Sequence, residues 1–114
     1  MFAQLVVFDG PRSAELVAAA DRAGRERIMP LVSSDPQIRA AHRGTFVLRR
    51  PDGGQVVLIL SDTAEALQRA EALISGSELL PGEDPVLLRE PDRADVYEVV
   101  YAVDRDYCEI GQPS

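Results

Sequence analysis

The stretch from Gly44 to Glu65 constrains the fold more than any other. Two apolar runs, Gly44 to Arg50 and Gln55 to Ser61, flank Pro51-Asp52-Gly53-Gly54, and Asp62-Thr63-Ala64-Glu65 follows the second. Proline presets a turn φ, Asp bonds its own backbone and Gly accepts positive φ, so the two runs predict a hairpin. Asp62 with Glu65 three positions on predicts a capping box that opens a helix. A four-residue loop puts Arg50 opposite Gln55, Leu48 opposite Val57 and Phe46 opposite Ile59 on one face. Thr45, Val47, Arg49, Val56, Leu58 and Leu60 then share the other, and a bulge in the loop shifts this register by one residue. In either register both faces are apolar. Helices on one side of an antiparallel sheet leave the other side wet and normally polar, so a second layer must come from outside this chain.

The remaining elements follow from pattern. Phe2 to Phe8 reads as a first strand, stopped by Asp9-Gly10-Pro11. Ser13 is a plausible N-cap, with Asp9 as a competitor, for an amphipathic helix carrying Val17, Ala20, Gly24, Ile28 and Leu31 on its apolar face. Pro30 is expected to kink or end that helix. Asp35-Pro36 ends the segment or starts another short turn. Ala66, Leu67, Ala70, Leu73 and Ile74 mark a second helix, closed by Gly76. Residues 75–94 read as a long connection with a short extended piece at Val86 to Leu88. Asp95 to Val103 is the last strand, with Tyr97, Val99, Tyr101 and Val103 on one face. The order βαββαβ predicts an α+β, ferredoxin-like domain with an antiparallel four-stranded sheet. That domain spans residues 1–103, and residues 104–114 form an acidic tail.

At 114 residues the chain can hold one core without disulfides or metals. A formal charge of -7, with the arginines dispersed among acids, argues against nucleic acid and against anionic membranes. All twelve cations are arginines, which excludes Schiff-base chemistry and a P-loop lysine. Cys108 stands alone, so neither an internal disulfide nor a paired-cysteine metal site is available, and a reducing cytoplasm is the expected location. Phe2 to Phe8 lacks the basic start and cleavage site of a signal peptide and is too short to span a membrane.

Glu26-Arg27-Ile28-Met29-Pro30-Leu31-Val32, Arg43-Gly44 before a strand, the Pro-Asp-Gly-Gly hairpin, Ser61 to Leu67 and Tyr97-Glu98-Val99 together resemble the antibiotic-biosynthesis-monooxygenase type of dimeric α/β barrel. The resemblance covers roughly Phe2 to Val103. It implies a homodimer in which two sheets face each other, supplying the missing layer. It also implies oxygenation of an aromatic or polycyclic phenol without a cofactor. Haem binding or degradation is a further activity of similar proteins, and others are non-catalytic modules that bind a small ligand or simply assemble. A tryptophan common before the second helix is replaced here by Ile59-Leu60-Ser61.

Five residues are candidates for chemistry. His42, the sole histidine, is the best available proton acceptor and the only candidate haem ligand; the alternative is a solvated loop histidine. Tyr97 is a second candidate base if a cation such as Arg49 lies beside it, and Tyr101 follows on the same strand face; both suit core or interface positions equally. Glu98 is either a buried base or a charged guard on a sheet edge. Arg49 either orients an anionic ligand or forms a salt bridge. Glu83-Asp84 and Asp104, Asp106 and Glu109 lack the spacing of a calcium loop and read as solvated surface.

Overall fold

A computed structural model describes residues 1–110; residues 111–114 of the acidic tail lie outside the described region. The four strands are β1 (Phe2–Phe8), β2 (His42–Arg49), β3 (Gln55–Ser61) and β4 (Arg93–Glu98), ordered β2-β3-β1-β4 with antiparallel neighbours. Four α-helices join them: α1 (Ala14–Arg22), α2 (Met29–Ser33), α3 (Pro36–Ala41) and α4 (Ala64–Ser75). This α+β arrangement is compatible with the ferredoxin-like fold.

The hairpin turns at Arg50–Gly54, one residue longer than the simplest reading, and the register shifts accordingly. Arg49 pairs with Gln55, Leu48 with Val56, Val47 with Val57, Phe46 with Leu58 and Thr45 with Ile59. The cause is local. The Arg50 amide bonds the Gly54 carbonyl at 2.7 Å, the Gly53 amide bonds Arg50 at 3.0 Å, and Asp52 Oδ1 accepts from the Gly54 amide at 2.8 Å. Gly53 sits at φ 92, where a Cβ would meet the Arg12 carbonyl at 2.5 Å. A five-residue loop results.

The shifted register re-sorts the two faces. One carries Phe2, Gln4, Val6 and Phe8 of β1, Gln55, Val57, Ile59 and Ser61 of β3, Thr45, Val47 and Arg49 of β2, and Ala94, Val96 and Glu98 of β4. Gln4, Gln55 and Ser61, the only strand residues that are buried, all lie here. Arg49 reaches Asp21 of α1 from the same face, so this is the side beneath the helices. The opposite face presents Ala3, Leu5, Val7, Phe46, Leu48, Val56, Leu58, Leu60 and Tyr97, together with Arg93 and Asp95 of β4, with nothing of this chain packed deeply enough on it to bury any of them. Phe46, Leu48 and Tyr97 are more than half exposed.

Between α1 and α2 the helix widens into a π segment, Ala23–Ile28, closed by a bond from the Met29 amide to the Gly24 carbonyl. Pro30 follows at once. Proline removes the bond to the residue four back and crowds that carbonyl, and here the chain stays helical to Ser33 after the wider turn. Ser13 caps α1 by accepting from the Leu16 amide at 3.2 Å. Asp35 caps α3, with Pro36 in the first turn and bonds from the Gln37 and Ile38 amides.

The cap of α4 differs from expectation. Thr63, not Asp62, is the N-cap, and its Oγ1 accepts from the Ala66 amide at 3.2 Å. Asp62 instead pairs with Arg43 at 2.7 Å. We expect Thr63→Ala to lower unfolding free energy by about 1 kcal/mol. Asp62→Ala should cost less, because its ion pair is surface-exposed, and urea melts of the two variants compare them directly.

The connection before β4 forms turns rather than an extended piece, with Leu87 bonded back to Asp84 at 3.0 Å. Glu83 is not solvated surface. It lies 2% exposed against Arg27 at 3.0 Å, and Arg27 also donates to Ser77 Oγ at 2.8 Å. β4 stops at Glu98, so Val99, Tyr101 and Val103 do not continue it. Beyond it Val103 bridges Glu109, and Val100, Tyr101 and Tyr107 stand 86%, 69% and 88% exposed. The Cα radius of gyration is 15.1 Å, against about 13 Å for a compact globule of this length.

Candidate functional site

The helix-covered face has a polar corner at the end of the sheet nearest His42. His42 opens β2 rather than lying in a connection, opposite Ser61, and an irregularity at Arg43 separates it from Gly44. Its Nε2 lies 2.7 Å from Thr45 Oγ1, which turns the imidazole toward the helix side. The imidazole is exposed, and the direction of the proton in this bond depends on its tautomer. Along the same row, Thr45 is followed by Ile59, Gln4 and Val96; in the next row His42 is followed by Ser61, Phe2 and Glu98.

Gln4 is the residue that sequence reasoning missed. Only 8% exposed, it places an amide among apolar neighbours in the centre of the sheet. The available signal was its inward position as the one polar residue of the Phe2 to Phe8 run. Ser61 is already committed: its Oγ donates to the Thr63 carbonyl at 2.9 Å and accepts from the Thr63 amide at 3.3 Å. Glu98 ends the edge strand β4 and is exposed, three strand spacings from His42, or about 14 Å.

Tyr97 lies on the uncovered face, opposite Ala3, and is 52% exposed. It therefore does not converge with His42. Nor does it meet Arg49, which is on the other face, on the far edge strand, and at the opposite end of its strand. The expected pairing of a tyrosine base with that cation is overturned within one chain. Tyr101 lies past the end of β4 in non-strand backbone.

Arg49 belongs to a separate cluster near the hairpin. Its Nε and Nη2 donate to Gln55 Oε1 at 2.9 and 2.7 Å, and its Nη2 pairs with Asp21. Beside it Arg12 is held by the loop: its amide bonds the Asp52 carbonyl at 2.8 Å and its Nε bonds the Gly53 carbonyl at 2.7 Å. The guanidinium carbon sits 5.1 Å from the centroid of the Phe8 ring. Burial lowers the Arg12 pKa first, and Arg49 and Arg89 lower it further while Asp21 opposes them. The arginines that look dispersed in the sequence are thus partly gathered by the fold.

An open depression between α3 and α4 is lined by Gln37, Thr63, Glu65, Ala66 and Arg69, none of them a sequence candidate. Among the described residues, no group of three or more His, Cys, Asp or Glu side chains is placed to hold a metal. Among the described residues, no helix is long and apolar enough to cross a membrane. Cys108 is exposed, and its amide bonds Asp104 Oδ1 at 3.0 Å in a tight turn. No protein-family model matches the chain, and no curated protein matches it.

Proposed function

We propose that this chain is one half of a homodimeric α/β barrel that binds a small aromatic ligand. The observation that carries the reading is the uncovered sheet face, whose apolar side chains run across β2, β3 and β1 to Tyr97 of β4, with Arg93 and Asp95 as its charged rim. A second copy is the natural cover, because a two-fold axis through the sheet sets the same apolar surface against itself. The exposed Val100, Tyr101 and Tyr107 beyond β4 add further apolar area off the body of the protomer. Light scattering at micromolar concentration should return the mass of two chains. The mass of one chain would overturn the reading.

A specific observation favours adding a chemical step, as in the cofactor-independent monooxygenases that the sequence resembles. The bond between His42 and Thr45 holds the imidazole at the polar corner, two strands, or about 10 Å, from the buried Gln4 amide. A phenol bound there would lose its proton to His42, and the resulting phenolate is the species that reacts with oxygen. His42→Ala should then remove oxygen uptake with a phenolic substrate by about two orders of magnitude or more. Tyr97→Phe, on the other face, should leave uptake near the parent level. Binding without oxygen uptake in the parent would leave the non-catalytic ligand-binding module as the function.

A further inference from the structure

We propose that Arg12, held against the β2–β3 hairpin near Arg49, binds the carboxylate of a small organic anion. Arg12 Nη2 is buried and has no hydrogen-bond partner, the one such side-chain atom among the described residues. Burying a guanidinium donor without an acceptor is costly, and such an atom calls for a partner that the chain itself does not supply. The rest of the side chain is already fixed. Nε is bound by the Gly53 carbonyl and the residue's own amide by Asp52, so the guanidinium is oriented before any ligand arrives.

With Nε engaged, the edge formed by the two Nη atoms remains. That edge offers two parallel N–H donors, the geometry that a carboxylate accepts through both oxygens. The Phe8 ring, 5.1 Å from the guanidinium carbon, supplies an apolar wall for the organic part of the anion. Electrostatics point the same way. Asp21 is engaged by Arg49, which leaves three guanidinium groups against one carboxylate in a chain whose formal charge is -7. Like charges held together in this manner repel one another, and an anion placed among them removes the repulsion. Asp21 is too far committed to serve, because its carboxylate faces Arg49 Nη2.

This site does not depend on the dimer or on oxygen chemistry, and its test is separate. Calorimetric titration of the full chain with sodium benzoate should show saturable binding, with benzamide, the neutral isostere, at least about tenfold weaker. Inorganic phosphate should bind more weakly than benzoate. Arg12→Gln should weaken benzoate binding by about tenfold or more. Because Arg12 also anchors the hairpin, Arg89→Gln is the companion variant: its side chain is exposed, and it should lower affinity several-fold while leaving the melting curve unchanged. The proposal is overturned if the parent binds no benzoate at millimolar concentration, if benzamide binds equally well, if phosphate binds more tightly than benzoate, or if both variants bind benzoate as the parent does.

Discussion

Leu58→Asp is expected to convert the proposed dimer to monomers at micromolar concentration and to lower its solubility. Leu58 sits near the middle of the uncovered face, between Leu5 of β1 and Phe46 of β2 in one row, with Val56 and Leu60 on either side along its own strand. Leu58 is already half-buried in the protomer, so covering the rest of its surface contributes roughly 1 kcal/mol at most, and a two-fold interface contains the position twice. The substitution also asks each copy to desolvate a carboxylate without a partner, at a cost of several kcal/mol per ion. The apolar loss alone raises the dissociation constant by up to about thirtyfold, and the unpaired carboxylates add the larger part. Sedimentation velocity should show the shift, and Val86→Asp provides the control, because Val86 is 80% exposed and lies outside the sheet. A Leu58→Asp chain that still sediments as a dimer would mean that some other surface joins the two copies.

The features legible in the sequence are those encoded locally. The apolar runs Phe2 to Phe8 and Gln55 to Ser61 marked strands, and the Pro-Asp-Gly-Gly turn marked a hairpin, because each depends on residues adjacent in the chain. The loop lengthened by one residue because the fit of Gly53 against Arg12, a residue remote in sequence, helps set its geometry. Thr63 displaced Asp62 as the cap for a similar reason. Arg43, nineteen positions earlier, engages the Asp62 carboxylate and leaves the hydroxyl to its neighbour. The last strand was read too long, since Tyr97 to Val103 alternates correctly but its partner β1 runs out at Phe2, opposite Glu98. Of the site candidates, His42 gained a partner that spacing suggests, Thr45, whereas Tyr97 and Arg49 were separated by a strand order that no local pattern reports.

Glu83→Ala is expected to be the most damaging single truncation outside the sheet, at about 3–5 kcal/mol of unfolding free energy. Glu83 lies in a turn-rich connection where an acidic residue would ordinarily be solvated, yet its side chain is 2% exposed and that of Arg27 only 11%. Arg27 Nε donates to both carboxylate oxygens, at 3.2 and 3.0 Å, and Arg27 Nη1 donates to Ser77 Oγ, whose hydroxyl donates in turn to the Ile74 carbonyl. The chain of bonds thus ties the π segment to the end of α4 and to the connection. Removing the carboxylate leaves a guanidinium buried beside a single hydroxyl, which costs more than the ion pair itself contributes. The exposed pair Arg22–Glu26, at 2.7 Å, gives the contrast, and Glu26→Ala should change stability by less than about 1 kcal/mol. Replacing Glu83 and Arg27 together with Gln and Met should recover part of the loss, because no unpaired charge then remains. Chemical denaturation of these variants measures all the differences, and a Glu83→Ala protein as stable as its Glu26→Ala counterpart would show that water reaches Arg27 and that the connection is not anchored there.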